Sequence, residues 1–326
     1  MPADLTFRRL GDSGLVVSAV GLGTNNFGMK LDLEQSRAVL DAALDAGITL
    51  LDTSDSYGRS EERLGELLQG RRDDVVLATK FGSPTNSRER SPEFLLGEDW
   101  GARGSRRYVR KAVEASLRAL RTDWIDLYQI HRPDPATPID ETLSVLDDLV
   151  HEGKVRYLGH SNFSGFQTAH ADWTARTSGL TPFISAQNNY NLLEREVESD
   201  LVPALEQYGL GLLPYFPLAS GLLTGKYRRG EAAPAGSRIA AWGMDSRLTD
   251  ATFDAVEKLE AFAAERGVSL LDVAIGGLAA QPTVASVIAG ATTPEQVRAN
   301  VAAGAWTPTA EDLVALDDAT KGAPAA

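Results

Sequence analysis

The sequence predicts an α/β protein in which eight parallel strands and their helices close into a (β/α)8 TIM barrel. Short β-type apolar runs recur along the chain, and stretches of helical periodicity separate most of them. No G-x-G-x-x-G turn opens a helix after an early strand, which disfavours an open doubly wound sheet. The predicted strands cover residues 17–22, 48–54, 74–79, 124–130, 155–161, 184–188, 210–216 and 284–289.

The helices and the N-terminal segment have recognisable boundaries. Residues 34–46 place apolar side chains on one helical face and stop at Gly47, and residues 139–152 do the same before Gly153. Gly11 and Gly14 lie within residues 7–17, between β-type residues such as Phe7 and Val17, which predicts a β-hairpin. We expect this hairpin to cap the bottom of the barrel.

Two strand-to-helix connections exceed the usual length of about 2–6 residues. They span residues 81–104 after the third strand and residues 219–250 after the seventh. Loops this long in a compact domain are usually functional or disordered. Because barrel strands flank both, neither is typical of an interdomain linker, and we expect residues 1–326 to form a single barrel domain.

Composition excludes several classes of function. The net charge is −13 in 326 residues, and such an acidic surface repels nucleic acid and anionic membranes. The chain has no cysteine and only four histidines, so we expect neither a disulfide framework nor a metal site. There is no signal-peptide pattern and no apolar run of ~18 residues, which predicts a soluble cytoplasmic protein.

Polar side chains stand at the ends of three successive predicted strands. Asp52 ends the second strand and Tyr57 follows five residues later, Lys80 ends the third strand, and His131 ends the fourth. Chemistry in such barrels is built at the carboxyl ends of the strands. Each residue alone has a structural explanation, such as an ordinary ion pair or a half-buried aromatic. Their joint occurrence predicts one catalytic mouth.

The four groups have complementary chemistry. A phenol with a pKa near ~10 donates a proton poorly until a neighbour stabilises its phenolate. Lys80 is expected to stabilise the Tyr57 phenolate, and Asp52 to keep Lys80 charged and in place. Neutral His131 is expected to donate to a carbonyl oxygen. Hydride arriving at the carbonyl carbon would leave an alkoxide that Tyr57 protonates.

Motifs along nearly the whole chain resemble the aldo-keto reductase family, including its potassium-channel beta-subunit-like branch. They include Gly21-Leu22-Gly23-Thr24, Asp52-Thr53-Ser54, Tyr57-Gly58, Ala78-Thr79-Lys80, Tyr128 through Asp134, Gly159-His160-Ser161-Asn162-Phe163, Gln187 with Tyr190-Asn191, Leu222 through Tyr227, and Gly290 through Asn300. The resemblance implies that Asp52, Tyr57, Lys80 and His131 are a catalytic tetrad that reduces an aldehyde or ketone.

The resemblance also implies an NADPH site, with NADH as the alternative. Ser161, Asn162 and Gln187 would hold the carboxamide, and Tyr215 would stack on the ring. The other implied cofactor-binding residues are Gly23, Thr24, Asn25, Asp52, Phe216, Pro217, Leu218, Ala219, Ser220, Lys226, Arg238, Gly290, Thr292, Gln296 and Asn300. Gly290 and Thr292 stand where many relatives place Lys, Ser or Arg, so Arg238 or Arg298 would supply the charge for a 2′-phosphate.

The basic loop and the last helix each have a second explanation. Lys226, Arg228, Arg229 and Arg238 are either a solvated charge run or a clamp on phosphates. Gln296 either caps its helix or contacts the cofactor, since Thr293-Pro294-Glu295-Gln296 is a capping-box pattern.

Substrate identity is less constrained by the sequence. Phe27 is expected to floor the substrate pocket, with Trp100 and Trp242 as walls, around a small carbonyl compound. Arg103, Arg106 and Arg107 would either bind an anionic substrate or lie in solvent. The sequence does not indicate an oligomeric state.

Two other functions stay open at this point. A Schiff-base aldolase would use Lys80 as its nucleophile. A regulatory subunit would bind NADPH and a partner protein, as the potassium-channel beta subunits that share this resemblance do. Those relatives commonly lack the histidine that this chain keeps as His131.

Overall fold

The computed structural model describes residues 5–84 and 102–320. The strands are β1 (Phe7–Arg9), β2 (Val16–Ser18), β3 (Val20–Gly23), β4 (Leu50–Asp52), β5 (Val76–Phe81), β6 (Ile125–Ile130), β7 (Val155–Ser161), β8 (Phe183–Gln187), β9 (Gly211–Leu212) and β10 (Val287–Gly290). The α-helices are α1 (Asn25–Met29), α2 (Leu33–Asp45), α3 (Ser60–Leu67), α4 (Arg106–Leu120), α5 (Ile139–His151), α6 (Gly165–Ser178), α7 (Leu201–Tyr208), α8 (Arg238–Trp242), α9 (Asp250–Glu265), α10 (Leu270–Ala279), α11 (Pro294–Ala303) and α12 (Ala310–Thr320).

Eight parallel strands form one sheet in the order β10-β3-β4-β5-β6-β7-β8-β9. Hydrogen bonds next to β9 join its two ends: the Leu212 N–H donates to the Thr283 carbonyl at 2.7 Å, and the Ala285 N–H donates to the Leu212 carbonyl at 2.9 Å. The sheet is therefore a (β/α)8 barrel, and the predicted fold class is confirmed.

The N-terminal hairpin of β1 and β2 lies against the barrel's lower end, as predicted. The Asp12 N–H donates to the Gly209 carbonyl just before β9, at 2.8 Å. Gly11 has φ +59° and leaves no room for a side chain, because an added Cβ would lie 2.4 Å from the Gly209 oxygen. Leu10 and Val17 pack into the barrel interior beside Leu127. The hairpin thus closes the end opposite the carboxyl ends of the strands.

The predicted helix boundaries agree with the structure to within one residue. A capping box between Asp32 and Gln35 starts α2, and Gly47 follows its end with φ +86°. Helix α5 ends at His151, and Gly153 turns the chain with φ +74°. These glycines adopt left-handed backbone angles that other residues rarely reach, so they end the helices where the sequence predicts.

The seventh barrel strand is shorter than the predicted residues 210–216, since β9 covers only Gly211–Leu212. Pro214 has no N–H for the ladder, and Phe216 has a positive φ of 54°. Tyr215 keeps a single bridge to Asn189. The chain then folds into a long connection, residues 213–249, that we call the loop-7 segment; it includes the 3-10 turns Ala219–Thr224 and Asp245–Arg247 and helix α8.

Apolar packing forms the barrel interior and a layer between the sheet and the outer helices. Leu50, Leu127 and Leu213 fill the interior and are fully buried. Within residues 5–84 and 102–320, none of the helices has the length and apolar character that crossing a membrane requires.

Candidate functional site

The four predicted catalytic residues meet at the carboxyl end of the barrel. Asp52 ends β4, Lys80 lies near the end of β5, and His131 directly follows β6. Because parallel strands deliver their carboxyl ends to the same rim, the loop after β4 brings Tyr57 over these residues. Asp52, Tyr57 and His131 line a cavity of about 780 Å³, with Lys80 buried behind them.

Lys80 and Asp52 form a buried ion pair. The Lys80 ammonium donates to both Asp52 carboxylate oxygens at 2.9 and 2.7 Å and to the Thr53 carbonyl at 2.9 Å. Burial alone would lower the pKa of Lys80, but Asp52 and Tyr57 outweigh it and raise that pKa above its usual value. The Gln187 amide donates to the same carboxylate at 2.8 Å. Lys80 is therefore held as a fixed ammonium.

Tyr57 is held above this pair by close backbone packing. The Lys80 nitrogen lies 5.0 Å from the centre of the Tyr57 ring. An added Cβ at Gly28 in α1 would lie 1.6 Å from the Tyr57 carbonyl oxygen, so only glycine permits this approach. Burial raises the pKa of Tyr57, and Lys80 opposes that rise. Lys80 thus acts in the predicted direction, but burial outweighs it and Tyr57 is a protonated phenol at neutral pH.

His131 is a neutral imidazole beside Tyr57. The two ring centres lie 5.9 Å apart in an edge-to-face arrangement. Burial first, then Lys80 and Arg132, lower the pKa of His131 to about 3. The Ser54 hydroxyl lies 3.1 Å from its Nδ1 atom. That contact fixes the ring and leaves Nε2 as the other hydrogen-bonding position.

A second polar cluster stands beside the tetrad. The Tyr215 hydroxyl donates to the Asn162 amide oxygen at 2.8 Å, and the Asn162 amide donates to the His131 carbonyl at 2.9 Å. The Ser161 hydroxyl donates to the Gln187 carbonyl at 2.6 Å. All of these residues line the same cavity as Tyr57. The structure thus brings the residues of the implied carboxamide site next to the implied catalytic residues.

The backbone after Tyr215 is strained. Phe216, Ala219 and Ser220 have φ values of 54°, 45° and 59°, in a backbone region that residues other than glycine rarely adopt. Such conformations cost about 1–3 kcal/mol each and persist only where surrounding contacts enforce them. This turn borders the cavity through Phe216, Pro217, Leu218 and Ser220.

A buried ion pair supplies part of that enforcement. Arg247 pairs with Glu194, and both side chains are about one-tenth exposed. Arg247 also donates to the Ser220 hydroxyl at 3.1 Å. Asn191 donates to Glu194 at 2.6 Å and to the Phe216 carbonyl at 3.2 Å. Sequence patterns do not reveal Arg247 and Glu194, because they are distant along the chain and neither stands at a strand end.

The four basic residues that the sequence singles out in the loop-7 segment divide into two groups. Lys226 and Arg238 line the cavity, and the Arg238 guanidinium lies 4.9 Å from the Phe216 ring centre and 4.8 Å from that of Trp242. Arg229 instead pairs with three carboxylates at the start of α9, and Arg228 pairs with Glu260. The phosphate-clamp explanation therefore fits the first group, and the solvated explanation fits the second.

Lys30 is a further cavity cation that the sequence motifs do not indicate. It follows α1 and lines the cavity. Burial, then the charges of Arg238 and Lys226, lower the pKa of Lys30. Burial and Arg238 likewise lower the pKa of Lys226. The position of Lys30 in the first strand-to-helix loop is the sequence feature that indicates a place at the cavity, because every such loop in a barrel reaches the mouth.

The far end of the cavity lies at the start of α11. Gln296 and Asn300 both line it, as do Gly290 and Thr292. The Thr293 side chain caps the helix, and the Gln296 side-chain oxygen accepts from the Thr292 N–H at 2.8 Å. Gln296 therefore serves the helix start and still faces the cavity. Arg298 is largely exposed and pairs with Glu295 outside the cavity lining.

Several predicted residues lie elsewhere. Phe27 does not floor the cavity: it is fully buried in the core, because α1 turns that face inward. Thr24 is buried and its hydroxyl donates to the Asp52 carbonyl at 2.9 Å, so it supports the rim from behind. Ala219 is also fully buried, whereas Gly23, Asn25 and Trp242 do line the cavity. Trp100 lies outside the described residues.

A parallel barrel with Asp, Tyr, Lys and His at its carboxyl mouth is an enzyme-like scaffold with a preformed cavity. The sequence model of the aldo/keto reductase family matches residues 19–321. This chain therefore belongs to the aldo/keto reductase family.

Curated relatives cover nearly the whole chain. A probable voltage-gated potassium channel subunit beta of Oryza sativa is 37% identical, over 92% of this chain and 91% of that protein. The uncharacterized oxidoreductase YrpG of Bacillus subtilis is 35% identical, with the same coverage of 92% and 91%. The L-glyceraldehyde 3-phosphate reductase of Escherichia coli is 35% identical, over 92% of this chain and 87% of that protein. The family and these oxidoreductases support oxidoreductase activity.

Proposed function

We propose that this protein reduces an aldehyde or ketone to an alcohol with NADPH as the hydride donor. The observation that carries the proposal is the Tyr57 phenol packed over the buried Asp52–Lys80 pair, beside a neutral His131, at one end of the cavity. Family membership supports the same reaction class.

The cavity fits a nicotinamide dinucleotide in shape and charge. Within residues 5–84 and 102–320, Lys30, Lys226 and Arg238 are three of the four cationic side chains that line it, and they form no ion pair with a carboxylate. Three such cations match a pyrophosphate with an additional 2′-phosphate, which favours NADPH over NADH. Tyr215, Asn162 and Ser161 would hold the nicotinamide end next to the tetrad, and Gln296 and Asn300 the adenosine end.

The residues divide the reaction among them. A bound reduced nicotinamide supplies the hydride to the carbonyl carbon. His131 donates a hydrogen bond to the substrate oxygen and orients it. Tyr57 transfers its phenolic proton to that oxygen as negative charge develops, and the Lys80 ammonium stabilises the phenolate left behind. Asp52 keeps Lys80 charged and in position throughout.

The same contacts disfavour a Schiff-base aldolase. An imine-forming lysine needs an unprotonated amine with a lowered pKa. Lys80 has a raised pKa, and its ammonium donates to two Asp52 oxygens and the Thr53 carbonyl. Freeing this amine would leave Asp52 unpaired in the interior.

A regulatory subunit is the second candidate, since relatives named as potassium channel beta subunits match this chain. A subunit that only senses the cofactor has no need of a proton donor and a carbonyl-orienting group. This chain has both, as Tyr57 and His131 in edge-to-face contact. We therefore propose catalysis as its function.

The direct test follows NADPH absorbance with a panel of small aldehydes and ketones, in parallel with NADH. We expect NADPH consumption that depends on both protein and carbonyl compound, with a lower kcat/KM for NADH. Borohydride trapping of a substrate on Lys80, with no NADPH consumption, would instead support the aldolase.

Replacing Lys30 with alanine is expected to weaken NADPH binding by about tenfold, because a charge-assisted contact to phosphate is lost. The difference should shrink at high salt. Fluorescence titration of NADPH measures it. Arg228→Ala is the matched control, since Arg228 is largely exposed and pairs with Glu260. Equal losses in both variants would contradict a role for Lys30 at the phosphates.

The pH profile of kcat/KM is expected to show no histidine step between about pH 5 and 8. Burial, with Lys80 and Arg132, lowers the pKa of His131 to about 3, so His131 stays neutral across this window. Steady-state rates in overlapping buffers measure the profile. A step near the ordinary histidine pKa of ~6.5 that disappears in His131→Gln would show that His131 is not neutral.

A further inference from the structure

The cavity has the opposite charge to the protein around it. The whole chain has a net charge of −13. Of the described residues that line the cavity, Lys30, Arg132, Lys226 and Arg238 are cationic, whereas Asp52 is the carboxylate and is neutralised by Lys80. A cationic cavity in an acidic protein focuses a positive potential and selects anions.

Arg132 stands apart from the other three cations. Besides burial, Arg238 and Lys226 lower the pKa of Lys30, and Arg238 lowers that of Lys226, so these three cations lie near one another. Arg132 instead directly follows His131 in sequence, and its charge contributes to lowering the pKa of that imidazole. Burial raises the pKa of Tyr215, and Arg132 is the first charge that opposes this rise. Arg132 therefore lines the cavity together with His131, which it follows in the chain, and with Tyr215.

Arg132 is also available to a ligand. Its side chain is exposed, and within residues 5–84 and 102–320 it forms no ion pair. The carboxylate nearest in sequence, Asp134, is engaged by its own loop: it accepts from the Gly104 N–H at 2.6 Å, the Ala136 N–H at 3.0 Å and the Thr137 hydroxyl at 2.8 Å. An arginine that lines a cavity while its neighbouring acid is held elsewhere is positioned to pair with a ligand.

The arginines that the sequence singled out for an anion do not share this position. Arg106 lies on α4, where it pairs with Asp148 and donates to Ser144 at 2.8 Å. It does not line the cavity. Arg106 therefore offers the same charge as Arg132 at a site remote from the chemistry.

We propose that the substrate of this protein is a small carbonyl compound with an anionic group, a carboxylate or a phosphate, and that Arg132 binds that group. This inference rests on the proposed function. A guanidinium pairs with either anion through two parallel hydrogen bonds, which fixes orientation as well as position. Because Arg132 and His131 line the same cavity, one small substrate can place its anionic group at Arg132 and its carbonyl oxygen at His131.

The kinetic test compares matched substrates of equal carbon-chain length. Succinic semialdehyde is paired with butanal, and glyceraldehyde 3-phosphate with glyceraldehyde; the two pairs distinguish carboxylate from phosphate. In Arg132→Ala we expect kcat/KM for the preferred anionic aldehyde to fall by about 10- to 100-fold, mainly through KM, with the neutral aldehydes unchanged. Arg132→Lys should recover part of the loss. Arg106→Ala controls for the change in net charge.

A binding measurement keeps this inference separate from the proposed reaction. Calorimetric titration of the protein with NADP⁺ present uses succinate and glycerol 3-phosphate, which carry the anions without an aldehyde. Binding of either anion that weakens in Arg132→Ala but not in Arg106→Ala supports the inference even if no carbonyl is reduced. Equal effects of Arg132→Ala on anionic and neutral aldehydes, or anion binding that is absent or unchanged in the variant, overturn it while leaving carbonyl reduction intact.

Discussion

Tyr57→Phe is expected to reduce kcat for carbonyl reduction by at least ~10²-fold, because it removes the general acid. The ring is kept, so its edge-to-face contact with His131 should be preserved. NADPH binding should therefore be largely unchanged. Single-turnover absorbance measurements with saturating NADPH and aldehyde separate the chemical step from binding.

The control for this variant is Tyr227→Phe, which removes a phenol elsewhere in the loop-7 segment. The Tyr227 hydroxyl donates to the Ser220 carbonyl at 3.2 Å, away from the tetrad. We expect a small effect on kcat there. Full activity in Tyr57→Phe would remove Tyr57 from the proton-transfer role, whatever the control shows.

Lys80→Met is expected to have two large effects. It leaves the Asp52 carboxylate buried without its cation, and breaking such a pair from one side costs about 3–5 kcal/mol of unfolding free energy. It also removes the ammonium that stabilises the Tyr57 phenolate, so kcat should fall by at least ~10²-fold. Denaturant unfolding measures the first effect, and single-turnover kinetics the second.

The double variant Asp52→Asn with Lys80→Met separates these effects. With both charges removed, the desolvated carboxylate is gone and much of the stability should return. Activity should not return, because the phenolate still has no cation. A double variant that regains both stability and activity would mean that the pair has only a structural role.

The sequence predicts that Asp52, Lys80 and His131 converge, because strand ends in a barrel meet by topology. Each of Asp52, Lys80 and His131 closes an apolar run, and parallel strands place those closing residues on one rim. The helix boundaries were equally predictable, since Gly47 and Gly153 mark the helix ends. Local sequence patterns and the parallel topology of the barrel are therefore enough to predict these strand-end residues and helix ends.

Side-chain direction in short elements could not be predicted. Phe27 was expected at the pocket floor, but α1 is only five residues long and its pattern does not reveal which face packs inward. The sequence likewise does not distinguish the positions of Arg132 and Arg106. Arg132 lines the cavity, whereas Arg106 pairs with Asp148 on the surface. Such choices depend on tertiary packing.

Long-range partners were also beyond sequence patterns. Arg247 and Glu194 come from separate loops, and their pairing emerges only when the loop-7 segment folds back over β8 and β9. The acidity of Tyr57 depends on the same global information, because burial outweighs the neighbouring Lys80 charge. The sequence identifies the titratable side chains, but their pKa values depend on burial and charge in the folded protein.

The most direct test of carbonyl reduction uses NADPH deuterated at its transferable position. The protein is incubated with this donor and an aldehyde, and the alcohol is analysed by mass spectrometry and NMR. We predict that the wild-type protein forms an alcohol with one deuterium on the former carbonyl carbon. In Tyr57→Phe, the rate of formation of this labelled alcohol should fall by at least ~10²-fold. An alcohol without the label, or NADPH that binds and is never oxidised by any carbonyl compound, would contradict the proposed function.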